Sequence, residues 1–129
     1  MSKFQILLLV LTILSLSCSR DEVDPPENNC AEDISYNNGV KEIIDATCAY
    51  SGCHDGAGGE GPNNYNNYSG MLVHLQSGSF ANRVIDQQDD PTFGMPPDMS
   101  IYPQSLIDDL TEDQLEVITC WIEAGFPEN

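Results

Sequence analysis

The chain's most specific chemistry lies in one heptapeptide, Cys48-Ala49-Tyr50-Ser51-Gly52-Cys53-His54. It holds two thiols, the second followed at once by a histidine. Each thiol can add across a vinyl group of a haem to give a thioether. The histidine beside the second thioether is then carried under the iron as its proximal ligand. A covalent tether of this kind retains haem in a chain too small to bury it fully. The usual spacing is C-x-x-C-H. Here four residues separate the thiols, and the porphyrin fixes the distance between its vinyl groups. Two further residues must therefore bulge out, which Ser51-Gly52 makes sterically easy. Two other fates stay open for these side chains. Cys48 and Cys53 form a local disulfide, or they bind zinc with His54 and His74, the two histidines of the chain, although the spacing matches none of the common zinc patterns.

A haem held by one histidine needs a second axial ligand if it is to carry electrons without binding substrate. Gly94-Met95-Pro96-Pro97 offers one, a thioether in a proline-stiffened loop. His/Met ligation raises the reduction potential, and the residue before a proline is pushed to extended backbone, which frees Met95 to present its sulfur. The rivals are Met71, His74 and Met99. Met71 falls on the apolar face of a predicted helix and reads as packing. His74 falls near the edge of that face, where a surface or half-buried histidine is the commoner outcome. Met99 lacks the proline brace. Met95 itself has packing as its alternative role.

The remaining cysteines fit an exported protein. Lys3 and the apolar run Phe4–Leu16 form a signal peptide over residues 1–17, too short to span a bilayer. Leu14-Ser15-Leu16-Ser17-Cys18 resembles a lipobox, departing from it at Ser15, and implies lipid on Cys18. Cleavage after Ser17 without acylation is the alternative. Residues 18–38 are expected to be a flexible, lipid-anchored tether, since Ser19–Asn29 is acidic, proline-bearing and almost without apolar side chains. Of five cysteines, lipid takes Cys18 and haem takes Cys48 and Cys53. Cys30 and Cys120 are left as a disulfide pair suited to an oxidising compartment.

The elements that must position these groups read as helices. Val40, Ile43, Ile44 and Thr47 recur at helical spacing just before Cys48, after Asn37-Asn38-Gly39. A second helix is predicted over Ser69–Gln76, with Met71, Leu72 and Leu75 inward and Gly78 as its stop. A short helical piece falls over Phe80–Ile85 and another over Gln104–Asp109. The last helix has the clearest signals. Thr111 and Gln114 form a capping box, Leu110 and Leu115 a hydrophobic staple, and Gly125 and Pro127 an ending. Glu112 and Asp113 suit the positive end of its dipole. Residues 55–67 and 86–104 read as loop. No alternating strand pattern occurs, so the fold class is all-α with long loops.

The order of parts resembles the class I cytochrome c domain. An amphipathic helix leads into a Cys/His haem motif, and a Met-Pro-Pro loop and a final helix ending Trp121-Ile122-Glu123-Ala124-Gly125 follow. It is similar above all to the cytochrome-like domains borne by lipoproteins of Bacteroidetes-type bacteria, which often carry the C-x-x-x-x-C-H spacing. The resemblance covers residues 39–126. It implies a cytochrome c-like domain with one covalent haem c on Cys48 and Cys53, His54 as proximal and Met95 as distal iron ligand. It also implies that the first and last helices cross near Ile43, Ile44, Ile118 and Ile122.

The formal charge is −17, from 21 acidic and four basic residues. Nucleic acid is thereby excluded as a partner, because phosphate binding needs Lys/Arg clusters. The expected role is electron transfer in the cell envelope, without enzymatic activity, from a dehydrogenase to an oxidase or reductase. The lipid anchor sits on the periplasmic face or at the outer-membrane surface, which Asp21-Glu22 after Cys18 would suit. A haem peroxidase or gas sensor with an exchangeable distal ligand, and a haem-free, disulfide-stabilised surface binding module, are the alternatives.

Overall fold

The structure is a computed structural model and describes residues 30–56, 58 and 61–129. The signal peptide, Cys18 and most of the tether lie outside the described residues. Among the described residues, regular structure is helical, and strand pairing is limited to two isolated bridges, Ser35 with Gly39 and Asp55 with Asn64.

Helix α1 runs Val40–Thr47 and buries Val40, Ile44 and Thr47, residues spaced for one face. It carries the chain into the Cys48–His54 loop. Helix α2, Tyr68–Gln76, is capped by the Asn67 side chain, which accepts from the Gly70 N–H, and buries Met71 and Leu75. The predicted piece at 80–85 is a helical turn, α3 (Ser79–Ala81), that runs into a π-helical turn, Asn82–Asp86, burying Phe80 and Val84. Helix α4, Glu112–Glu123, shows the full capping box. Thr111 Oγ1 accepts from the Gln114 N–H, and Gln114 Oε1 accepts from the Thr111 N–H. Helices α1 and α4 pack on each other, with Ile44 and Ile118 buried and Ile43 and Ile122 half-buried against the core. Trp121 is fully enclosed at its centre.

Two expectations need correction. Gln104–Asp109 is not a helix. Side chains there satisfy the backbone instead: Ser105 Oγ donates to the Ile107 carbonyl at 2.7 Å, and Asp108 Oδ1 accepts the Met99 N–H at 2.6 Å. Such bonds compete with the helical ladder. Residues 30–38 are not tether but part of the fold. Ser35 and Tyr36 are buried, and the Tyr36 and Asn37 N–H groups donate to the Pro127 and Glu128 carbonyls at 2.9 and 3.0 Å. The polar run that argues for a tether ends at Asn29, and Ile34 and Tyr36 are the apolar residues that make packing possible.

Candidate functional site

Three segments that are distant in sequence converge on one cavity of about 300 Å³. The attachment loop contributes Cys48, Cys53 and His54, and the segment after it Pro62 and Tyr65. Phe80, Arg83 and Val84 form a second wall. Met95-Pro96-Pro97, with Tyr102, Gln104 and Ser105, form the third. Met95 thus lines the same space as both thiols and His54. The volume falls in the range of small-molecule and cofactor sites, which are mostly apolar with few polar groups.

The attachment loop closes on itself through the His54 N–H, which donates to the Cys48 carbonyl at 3.1 Å. Its cysteines are free thiols, not joined to each other, whereas Cys30 and Cys120 are joined by a disulfide. Burial pushes the Cys48 thiol up to about 11, against a hydrogen bond from Thr47 that favours the thiolate. Cys48 is therefore a protonated thiol at neutral pH.

His54 is held from several sides. Its Nδ1 is bonded to the Pro62 carbonyl at 2.9 Å, which makes Nδ1–H the donor and Nε2 the basic nitrogen of the neutral ring. Its ring stacks on Tyr65 with centroids 4.1 Å apart and an interplanar angle of 5°. Gly61 lies so close that a Cβ there would fall 2.5 Å from His54 Cε1 and Nδ1. Burial lowers the pKa of the imidazole, opposed by the bond to Pro62. A neutral, oriented imidazole with its second nitrogen hydrogen-bonded is the form in which histidine binds a metal.

His74 lines the cavity too, but both of its ring nitrogens are engaged. Asn63 Nδ2 lies 3.0 Å from Nε2, and the Tyr65 hydroxyl is hydrogen-bonded to Nδ1. Met95 makes no such commitment of its sulfur. Its backbone N–H donates to the Arg83 carbonyl at 3.0 Å. The preceding Gly94 is buried where a Cβ would meet the Gln87, Gln88 and Asp90 carbonyl oxygens at 2.7, 2.7 and 2.8 Å. Of the other rivals, Met71 is fully buried in the core and Met99 is exposed. Among the described residues no three His, Cys, Asp or Glu side chains form a group able to hold a metal ion.

The chain matches no family model, no curated protein and no solved structure. The functional reading therefore rests on the site. Two participants escaped the sequence reading. Tyr65 sits in an asparagine-rich stretch that reads as loop, and Tyr50 lies between the thiols beside the Ser51-Gly52 bulge, with no role of its own in the pattern. Nothing in the local pattern marks either one.

Proposed function

We propose that the chain is an extracytoplasmic electron-transfer protein carrying one covalent haem c. The observation that carries this reading is the convergence of Cys48, Cys53, His54 and Met95 on one cavity. The donor set suits the group: two thiols free to form thioethers, a neutral imidazole, and a thioether sulfur presented from a separate loop. When bound, haem iron supplies a one-electron ferrous–ferric couple.

The residues divide that work. Cys48 and Cys53 would hold the group covalently. His54, oriented by Pro62, Gly61 and Tyr65, would be one protein ligand to its iron and Met95 the other, an arrangement suited to passing electrons without binding substrate. Phe80, Val84, Pro96 and Pro97 exclude water and lower the local dielectric.

A haem stain on a denaturing gel tests the reading, since covalent haem alone survives. The exported wild type should stain, and the Cys48→Ala, Cys53→Ala double variant should not. An unstained wild type would leave the haem-free binding module. A stained protein with five-coordinate, high-spin iron would favour the sensor or peroxidase. We also propose lipid on Cys18. Cys18→Ser should move the protein from the membrane to the soluble fraction, and a wild type that is already soluble after export would end that idea.

A further inference from the structure

Two of the four residues between the thiols, Ala49 and Tyr50, are tied into the molecule. Ala49 is buried at 8% exposure. The Tyr50 hydroxyl lies 3.1 Å from Ser105 Oγ, and the Leu106 N–H donates to it at 3.0 Å. Ser105 is 4% exposed, and its hydroxyl donates to the Ile107 carbonyl at 2.7 Å. The donors and acceptors then run in one direction: Leu106 N–H to the Tyr50 oxygen, Tyr50 O–H to Ser105 Oγ, and Ser105 O–H to the Ile107 carbonyl. Each hydroxyl donates once and accepts once.

This chain of bonds joins two of the segments that line the cavity. Tyr50 belongs to the loop bearing the thiols and His54, and Ser105 to the wall that continues from Met95. On the side before Met95, that wall is fixed by the Met95 N–H to the Arg83 carbonyl, 3.0 Å. On the side after it, the Asp98 carbonyl accepts the Ile101 and Tyr102 N–H groups at 3.0 and 2.8 Å, and the Tyr102 carbonyl accepts the Ser105 N–H at 2.8 Å. The run from Met95 to Ser105 is thus stiffened locally and then bolted to the attachment loop.

We propose that Tyr50 is a positioning residue that holds the Met95 loop in place, so that the longer thiol spacing serves to stabilise distal ligation. This rests on the haem reading above and deepens it. Losing the tie should let the Met95 loop swing away more readily, with covalent attachment untouched.

The test uses the full-length holoprotein with imidazole as a competitor for the distal position. Tyr50→Phe should keep the haem stain, weaken the near-infrared sulfur-to-iron band of the ferric form, and bind imidazole on the order of tenfold more tightly, the loss of about 1.4 kcal/mol. Ser105→Ala breaks the same chain from the other wall. It should shift imidazole affinity in the same direction, and the double variant should be no worse than Tyr50→Phe alone. If Tyr50→Phe does not fold, Ser105→Ala decides by the same measurement. A stained variant whose imidazole affinity stays within twofold of wild type, with the band intact, overturns the proposal. A wild type that stains but lacks the band does so as well, because Met95 is then not on the iron. A wild type that does not stain sinks the haem reading itself, and the gel shows this before any affinity is measured.

Discussion

For the haem we propose, the choice of distal ligand is decided by what each candidate side chain is already doing. To bind iron, His74 would have to surrender either its exposed bond with Asn63 at Nε2 or its part-buried bond with the Tyr65 hydroxyl at Nδ1, and losing the second leaves Tyr65 unsatisfied at a cost of about 1–3 kcal/mol. Met95 surrenders packing alone. Met95→Ala should therefore keep covalent haem, lose the near-infrared band and lower the reduction potential, while His74→Ala should leave band and potential in place. The reverse pattern in voltammetry and ferric spectra would assign bis-histidine ligation. A second residue-scale prediction concerns Tyr36. Its side chain is 3% exposed between Tyr68 and Trp121, and its hydroxyl has no partner among the described residues. Tyr36→Phe should stabilise the protein by about 1 kcal/mol at neutral pH, the desolvation cost of an unpaired hydroxyl. Burial, with Asp45 and Glu128 adding and Lys41 opposing, raises its pKa above the ordinary 10.0. The sign follows from a folded pKa above the unfolded one. The neutral phenol contributes its full stability below pH 10, and that contribution fades as pH climbs through the folded value. The Phe variant should lose less stability above pH 10. Tyr50 and Tyr65 are also raised, but they are common to both proteins, so the difference isolates Tyr36. Urea unfolding at neutral and alkaline pH measures it, and a Phe variant less stable at pH 7 would mean that the hydroxyl has a partner.

Among the elements, α4 was the most legible, because the signals that start and stop it are local. Thr111 and Gln114 cap it within one turn, and Gly125 and Pro127 follow its end. The attachment helix α1 was legible for the same reason, through Val40, Ile43, Ile44 and Thr47. The 104–109 segment was not, since its conformation is set by Tyr50, far off in sequence, and by Asp108 reaching back to Met99. The outer layer formed by residues 30–38 was equally hidden. Its bonds run to the carbonyls of 127 and 128, at the far end of the chain. At the site, the heptapeptide and Met95 could be read from residue types, whereas the stacking of Tyr65 on His54 could not, because it depends on how the 55–67 loop returns. The Cys30–Cys120 disulfide, with a sequence separation of 90, staples that outer layer to α4. In the chain-entropy model such a loop is worth about 4–5 kcal/mol, and measured values commonly fall to 2–4 kcal/mol. The Cys30→Ser, Cys120→Ser double variant should lose stability in the lower range while keeping stained haem, because the haem we propose would already restrain the unfolded chain at Cys48 and Cys53. An unchanged urea midpoint would show that the staple does not hold the 30–38 layer.

At the scale of the whole molecule, charge and exposed apolar surface meet beside the site. Among the described residues the two Lys/Arg side chains are both engaged. Lys41 pairs with Asp45 at 2.6 Å, and Arg83 donates to the Phe93 carbonyl at 2.9 Å with its guanidinium over the Phe93 ring. The formal charge of −17 is thus weakly opposed where partners would approach. Met99, Ile101 and Leu106 are 41%, 48% and 65% exposed. They adjoin Tyr102, Gln104 and Ser105, which line the cavity, and Asp98 and Asp108 bond to backbone N–H groups within the same stretch. A cationic partner with an apolar contact face is steered to such a surface, and an anionic one is turned away. The ferrous protein should therefore be oxidised faster by a cationic aromatic complex such as tris(phenanthroline)cobalt(III) than by ferricyanide, once driving force is allowed for. Salt screens charges beyond about 8–10 Å at physiological strength, so raising it should slow the first reaction and speed the second. Leu106→Lys should reduce the rate with the cationic complex several-fold. Val73→Lys makes the same change in charge at a residue that is 55% exposed on α2, outside the Met99–Leu106 apolar stretch, and it should act more weakly. Stopped-flow oxidation over a salt series separates the cases. Equal effects of the two lysines would mean that net charge alone governs approach, and identical salt slopes for the two oxidants would mean that the acidic surface does not steer electron transfer at all.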